Sequence, residues 1–260
     1  MNRPADLGDF AGGVLLVILC GLLWEVLARA GALDPQYFPP VTSIFSSLWD
    51  MALQGDLWTS LRASVYRMFC GFLIAVCISL PLGIFMGAVQ FFRDLFGMVV
   101  EFLRPIPSVA IIPIIILLVG LGDSMNIASI AYASTWPLLI NCIEGIASVE
   151  VLHVRSAQSF QLGPARIMLT VMLPSALPQI LSGMRISLTM ALALTVLSEM
   201  VVSTQGLGQV ILDAQNRLDT PAMYAGILVV SVLGLLINIG FNWVADRVFP
   251  WIERYRGVEA

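Results

Sequence analysis

The apolar residues of this chain are gathered into long runs that are separated by shorter polar stretches. A helix rises about 1.5 Å per residue, so about 20 apolar residues cross the roughly 30 Å hydrocarbon core of a bilayer. Six runs are long enough. The pattern therefore predicts an all-α, polytopic membrane protein with six transmembrane helices, at residues 11–30, 65–89, 96–119, 125–147, 180–202 and 223–246.

The third run is interrupted by prolines. Arg104 is followed by Pro105 and Pro107, and Pro113 comes soon after. Proline removes a backbone donor and kinks a helix. Broken backbone persists at membrane depth only where protein or a watery cavity covers it. We therefore expect this segment to face the protein interior rather than lipid.

The polar stretch between the first two runs contains one further helical pattern. Residues 42–53 follow the stop at Pro39-Pro40 and precede the break at Gly55. Their alternation of apolar and polar positions predicts a short amphipathic helix that lies in the membrane interface.

Composition explains why lipid must be the solvent. The chain is 58% hydrophobic and 12% charged, whereas soluble domains are about 45–50% apolar and about 25% charged. All basic side chains are Arg, and no basic patch indicates nucleic acid. The single His153 excludes sites built from several histidines, and the four cysteines lie inside apolar runs. We expect no metal site and no catalytic residue.

The arginines indicate the orientation in the membrane. Positive residues are enriched in cytoplasmic loops. This bias places both termini and residues 148–178 in the cytoplasm, on the side that holds Arg3, Arg93, Arg155, Arg166, Arg247, Arg254 and Arg256.

The stretch 151–162 is too short for a domain and too apolar for a solvated linker. Val151, Val154, Phe160 and Leu162 alternate with polar residues. This pattern favours a short surface helix with one side on the membrane domain and the other offered to a partner. A plain interfacial loop fits the periodicity as an alternative.

The same stretch resembles a known motif. Arg155-Ser156-Ala157-Gln158-Ser159-Phe160-Gln161, followed by Val171-Met172-Leu173-Pro174, matches the register of the "EAA" loop. That loop marks the membrane subunits of binding-protein-dependent ABC importers. The continuation Ser175-Ala176-Leu177-Pro178-Gln179-Ile180, then Gly183-Met184-Arg185, is similar to the family's "PAALPxIxxGLR".

Further motifs resemble one branch of that family, the nitrate/sulfonate/taurine-type permeases. The similar segments are Leu103-Arg104-Pro105-Ile106-Pro107-Ser108-Val109-Ala110, then Ile112-Pro113, Gly120-Leu121-Gly122-Asp123, Ser198-Glu199-Met200 and Gly206-Leu207-Gly208. The resemblance covers about residues 38–250.

The resemblance implies a type I importer permease fold and a set of partners. The whole chain, 1–260, would be one permease domain with an N-terminal helix at 11–30, a core at 60–247 and a coupling loop at 148–178. It would sit in the inner membrane as a multi-pass protein, with an ATPase dimer, a second permease copy or a homologous permease, and an external binding protein. It would have no cofactor of its own, because the ATPase partner binds ATP and Mg. No Walker-type Gly-rich loop is present in this chain.

The resemblance also implies the coupling residues. They are Arg155, Ser156, Ala157, Gln158, Phe160, Gln161, Leu162, Gly163 and Pro174. The chain departs from the motif, since Arg155 stands for its Glu, Ser156 for its first Ala and Gln161 for its Gly. An Arg in place of Glu reverses the charge at the ATPase contact. Either this chain is one of two unlike permeases, or its ATPase partner has an adapted groove.

Ionisable and polar residues inside the membrane are costly and usually face the interior. We assign Glu101, Arg104, Pro107, Asn141 and Glu199 to the translocation path or its gate. Glu101 and Arg104 lie three residues apart and could instead form an intrahelical pair. Arg104 could otherwise attract an anionic solute, and Glu199 could hold the outer gate or a structural hydrogen bond.

The function implied is a permease subunit of an ATP-driven importer that handles a small, anionic solute. Two alternatives stay open. A secondary transporter would show internal repeats with matched broken helices, which are absent from the pattern. A non-transporting membrane scaffold remains the other alternative, because the coupling motif is altered.

Overall fold

The computed structural model describes residues 7–251, and within the first helix it leaves the side chains of residues 7–11 and 14 undescribed. The predicted cytoplasmic residues Arg3, Arg254 and Arg256 lie outside this range. Every regular element of the described residues is a helix, which confirms the all-α prediction. The helices are α1 (Leu7–Arg29), α2 (Val41–Gln54), α3 (Asp56–Ala88), α4 (Gln90–Leu103), α5 (Ile112–Val119), α6 (Asp123–Ala147), α7 (Val151–Ser159), α8 (Pro164–Ile167), α9 (Leu173–Val202), α10 (Leu207–Asn216) and α11 (Thr220–Val248).

The described chain divides into two compact units. One unit contains residues 1–63 and 204–260, as far as they are described, and the other contains Ser64–Ser203.

The structure does not confirm the count of six spans. Among the described residues, three helices are long and apolar enough to cross a membrane, namely Asp56–Ala88, Pro164–Val202 and Thr220–Val248. Asp123–Ala147 with Val151–Ser159 makes a fourth if this pair, bent by 58°, counts as one span. All of the predicted first run, 11–30, except its last residue lies in α1.

The predicted third span, 96–119, is not one helix. It divides into α4 and α5, and residues 104–111 between them form turns. This confirms the expected interruption at Arg104-Pro105 and Pro107. Because α5 has 8 residues, it is only about 12 Å long and cannot cross a bilayer alone.

The predicted coupling loop, 148–178, is also shorter than expected. From Pro164 onward the chain is already helical and continues without a stop to Val202. A π-helical turn, Met168–Met172, lies just before Pro174. Pro174 has no N–H, and the Leu173 N–H donates to the Met168 carbonyl five residues back. The wider turn therefore lets the helix run through the proline instead of ending there.

In the unit 64–203, small residues bring α3, α6 and α9 together. A Cβ at Gly83 would lie 2.6 Å from Cys142 Cβ, and a Cβ at Gly183 would lie 2.5 Å from Asn141 Cβ. Glycine is therefore required at both contacts, as is common between membrane helices. Beside them, a buried apolar cluster is formed by Leu138, Cys142, Ile146, Ala176 and Ile180.

In the other unit, Glu25 of α1 stabilises the start of α2. The α2 N-terminus has no side-chain cap of its own. The Glu25 carboxylate instead accepts from the Thr42 N–H at 3.1 Å and from Thr42 Oγ1 at 2.9 Å. Arg29 Nε donates to the same carboxylate at 2.6 Å. A carboxylate at a helix N-terminus also complements the helix dipole.

Candidate coupling surface and translocation path

The short helix α7 forms where the sequence predicts a surface helix. It ends in a Schellman motif, in which the Leu162 N–H donates to the Ala157 carbonyl and the Gln161 N–H donates to the Gln158 carbonyl. This closure places Gln161 in the left-handed region, with φ of 58°. Glycine favours that region, and the family motif has Gly at this position.

The two sides of α7 differ in exposure. Ala157 is only 6% exposed, because α7 packs against the π-helical turn and α8. Phe160 is 80% exposed at the C-terminal end of α7, and Val151 and Leu152 are exposed at its N-terminal end. Exposed large apolar side chains, an aromatic ring among them, are typical of a protein-binding surface.

The predicted coupling residues differ in their exposure. Ala157 faces its own unit and Leu162 is half-buried. The remaining members are exposed: Arg155, Ser156, Gln158, Phe160, Gln161, Gly163 and Pro174.

Two of the predicted path residues line one cavity. A cavity of about 360 Å³ in the unit 64–203 is bounded by Arg104 from the turn after α4 and by Asn141 from α6. Glu101, Pro107 and Glu199 do not line it. The structure therefore brings together only part of the set that the sequence suggested.

The alternative of an intrahelical pair between Glu101 and Arg104 is not seen. No ion pair joins them within the described residues. Arg104 lines the cavity, whereas Glu101 is exposed outside it.

Glu199 belongs to a separate buried network. Its side chain has no exposed surface. Arg67 Nη1 donates to Glu199 Oε1 at 2.9 Å, and Ser64 Oγ donates to the two carboxylate oxygens at 2.9 and 2.8 Å. Arg67 also donates through Nε to Asp123 at 2.7 Å. The network therefore ties α3, the start of α6 and the end of α9.

Sequence reasoning missed most of this network. Ser64, Arg67 and Asp123 were not among the predicted site residues. The only available signal was their charge or polarity near the ends of apolar runs. The pairing itself joins residues 56 and 132 positions apart in the chain, and it depends on how the helices are rotated.

Comparison with known proteins agrees with this architecture. The family described as "Binding-protein-dependent transport system inner membrane component" matches residues 79–254. The taurine transport system permease protein TauC of Escherichia coli (strain K12) is 31% identical, over 92% of this chain and 88% of its own length. The putative aliphatic sulfonates transport permease protein SsuC of Bacillus subtilis (strain 168) is 29% identical, over 94% and 89%.

Solved structures show the same fold. Two crystal forms of the MetNI methionine ABC transporter, in inward-facing conformations, align with TM-scores of 0.65 and 0.68 at 18% and 17% identity. The alignments cover 74% and 76% of this chain and 95% and 98% of theirs. The fold is thus that of an ABC importer permease. The chain belongs to the family of binding-protein-dependent transport system inner membrane components, whose members are membrane-spanning permease subunits.

Proposed function

We propose that this chain forms half of the translocation path of an importer for small organic anions, with sulfonates as the first class to test. The observation that carries the proposal is the match to a taurine permease over 92% of the chain. Arg104, which lines the cavity of the unit 64–203, adds physical support, because a guanidinium attracts an anionic solute. A second permease, either another copy or a homologous chain, completes the path.

In this proposal α7 is the coupling helix. Its buried side, with Ala157, is fixed to the chain's own helices, and its exposed side, with Phe160, docks on a partner ATPase. ATP and Mg bind to that partner. Closure of the ATPase dimer then moves α7 as a rigid lever, and the membrane helices switch between inward and outward access. An external binding protein delivers the solute.

The proposed orientation puts both termini and α7 in the cytoplasm, where the ATPase binds. The bias of the arginines supports it.

Co-purification tests the partnership. The tagged chain, expressed with the candidate ATPase encoded beside it, should bring down that ATPase in detergent and hydrolyse no ATP alone. A purified complex that lacks any ATPase and still transports would overturn the proposal, and would favour a secondary transporter.

A further inference from the structure

The cavity beside Arg104 contains several hydrogen-bond donors and no acid. Its polar lining is Arg104, Ser108, Trp136 and Asn141, and Ile186 and Met190 of α9 form an apolar wall. No Asp or Glu is among the residues that line it. Its volume of about 360 Å³ lies at the lower end of the range of about 300–1,000 Å³ that is usual for small-molecule sites.

The charge of Arg104 has no internal counterion. Within residues 7–251 the ion pairs involve Arg29, Arg67 and His153, and Arg104 takes part in none. Arg104 is an exposed residue, and its guanidinium stays protonated in proteins. It is therefore available to pair with an anion that enters the cavity.

The Trp136 indole forms a wall of the same cavity. Its ring packs edge-on against Tyr132 at 5.4 Å, and its Nε1 is shielded from solvent. The indole therefore does not offer its N–H to a solute in the cavity, but a solute there would lie close to its ring.

Asn141 holds the remaining wall in place. Its Nδ2 donates to the Pro137 carbonyl at 2.8 Å, and its Oδ1 accepts from Gln179 Nε2 at 2.9 Å. The close approach of Gly183 fixes the same side chain from the α9 side. The polar wall is therefore organised before any solute arrives.

We propose that this cavity holds a singly charged organic oxyanion during its passage through the permease. The planar guanidinium of Arg104 pairs with two oxygens of the head group, and a short apolar body lies against Ile186 and Met190. One cation without an acid selects a single negative charge. The inference rests on the proposed function and adds to it the position and the charge class of the solute.

The experiment uses the permease–ATPase complex labelled with 5-fluorotryptophan, without binding protein. Fluorine NMR is recorded during titration with ethanesulfonate, a singly charged probe, and with ethyl methyl sulfone, its neutral counterpart. Trp136→Phe assigns the resonance. The Trp136 signal should move saturably with ethanesulfonate and not with the sulfone.

Arg104 variants test the role of charge. Arg104→Gln should raise the half-saturating ethanesulfonate concentration about tenfold or more, since a charge-assisted hydrogen bond is lost. Arg104→Lys should restore part of the binding, and the exposed Arg247→Gln serves as the matched control with no change. The inference would be overturned if the Trp136 signal moved equally with the sulfone. It would also be overturned if Arg104→Gln had the same half-saturating ethanesulfonate concentration as the wild type.

The two proposals fail in different ways. Normal ATP-driven uptake of ethanesulfonate without any effect at Trp136 would sink the cavity assignment alone. If the wild-type complex showed no ATP-driven uptake at all, the proposed function would be wrong. If Arg104→Gln does not assemble, the comparison of the sulfonate with the sulfone on the wild-type complex still decides the outcome.

Discussion

At the residue scale, the best-defined polar contact is the carboxylate of Glu199 with Arg67 and Ser64. Both charged side chains are removed from solvent, so each depends on the other. Breaking a buried pair is costly because one charge stays behind, whereas replacing both partners with apolar groups is often nearly neutral.

We expect Arg67→Met to lower the free energy of unfolding by about 3–5 kcal/mol, because Glu199 then keeps a buried charge without its guanidinium. The double variant Arg67→Met/Glu199→Leu should recover most of that loss. Thermal unfolding in detergent measures both.

Asp123 provides the matched control for this network. Its side chain is 57% exposed, so Asp123→Asn should cost only about 0–1 kcal/mol. If the single and double variants were equally destabilised, the loss would not come from leaving Glu199 unpaired, and the account of the Arg67–Glu199 pair would be wrong.

The left-handed Gln161 gives a second prediction at this scale. Gln161→Gly should stabilise the end of α7 by about 1 kcal/mol, because a side chain is disfavoured at a φ of 58°. Gln158→Gly, inside the same helix, should destabilise it by about 1 kcal/mol. Hydrogen exchange of the α7 amides would report both changes, and a loss of protection in Gln161→Gly would contradict the assignment.

At the scale of elements, α7 has one side fixed and one side free. This difference decides which substitution tests coupling to the ATPase. Ala157→Asp would place a charge inside the chain's own packing, so a loss of transport would not separate coupling from folding. Phe160, which is 80% exposed, separates them.

We expect Phe160→Ser to reduce ATPase co-purification and uptake about tenfold or more, since exposed aromatic anchors carry much of the energy of an interface. The thermal stability of the isolated permease should stay unchanged. The matched control is Leu121→Ser, an exposed apolar residue in the turn between α5 and α6. Normal ATPase binding by Phe160→Ser would show that the Phe160 ring is not part of the surface that binds the ATPase.

Local patterns were sufficient for elements that have clear ends. Helix α2 was predicted within one residue at each end, because Pro40 precedes it and Gly55, with φ of 88°, closes it. The start of the helix that runs to Val202 was missed, because Pro174 looks like a stop and the π-helical turn that accommodates it has no obvious sequence signature.

The candidate site was predictable only in part, because local patterns do not show which elements meet. Arg104 and Asn141 could be singled out as polar residues inside apolar runs, and the structure places both at one cavity. Which of them meet cannot be derived from spacing, because Trp136 and Arg104 come from different elements. The same limit hid the contact of Arg67 with Glu199.

At the scale of the whole molecule, the orientation of α7 gives a prediction that does not depend on the number of spans. A single long apolar helix, Pro164–Val202, follows α7 in the chain. In a variant without native cysteines, His153→Cys should react with a membrane-impermeant maleimide only from the cytoplasmic side, and Arg217→Cys only from the outside. Labelling of both from one side would overturn the proposed orientation.

The most direct measurement is uptake of radiolabelled ethanesulfonate into proteoliposomes that contain the permease, its ATPase and the binding protein. The account predicts uptake that requires all three components and ATP on the ATPase side, and that falls in Phe160→Ser. Uptake by the permease alone, driven by an ion gradient and insensitive to ATP, would contradict the central claim that this chain is the membrane subunit of an ATP-driven importer.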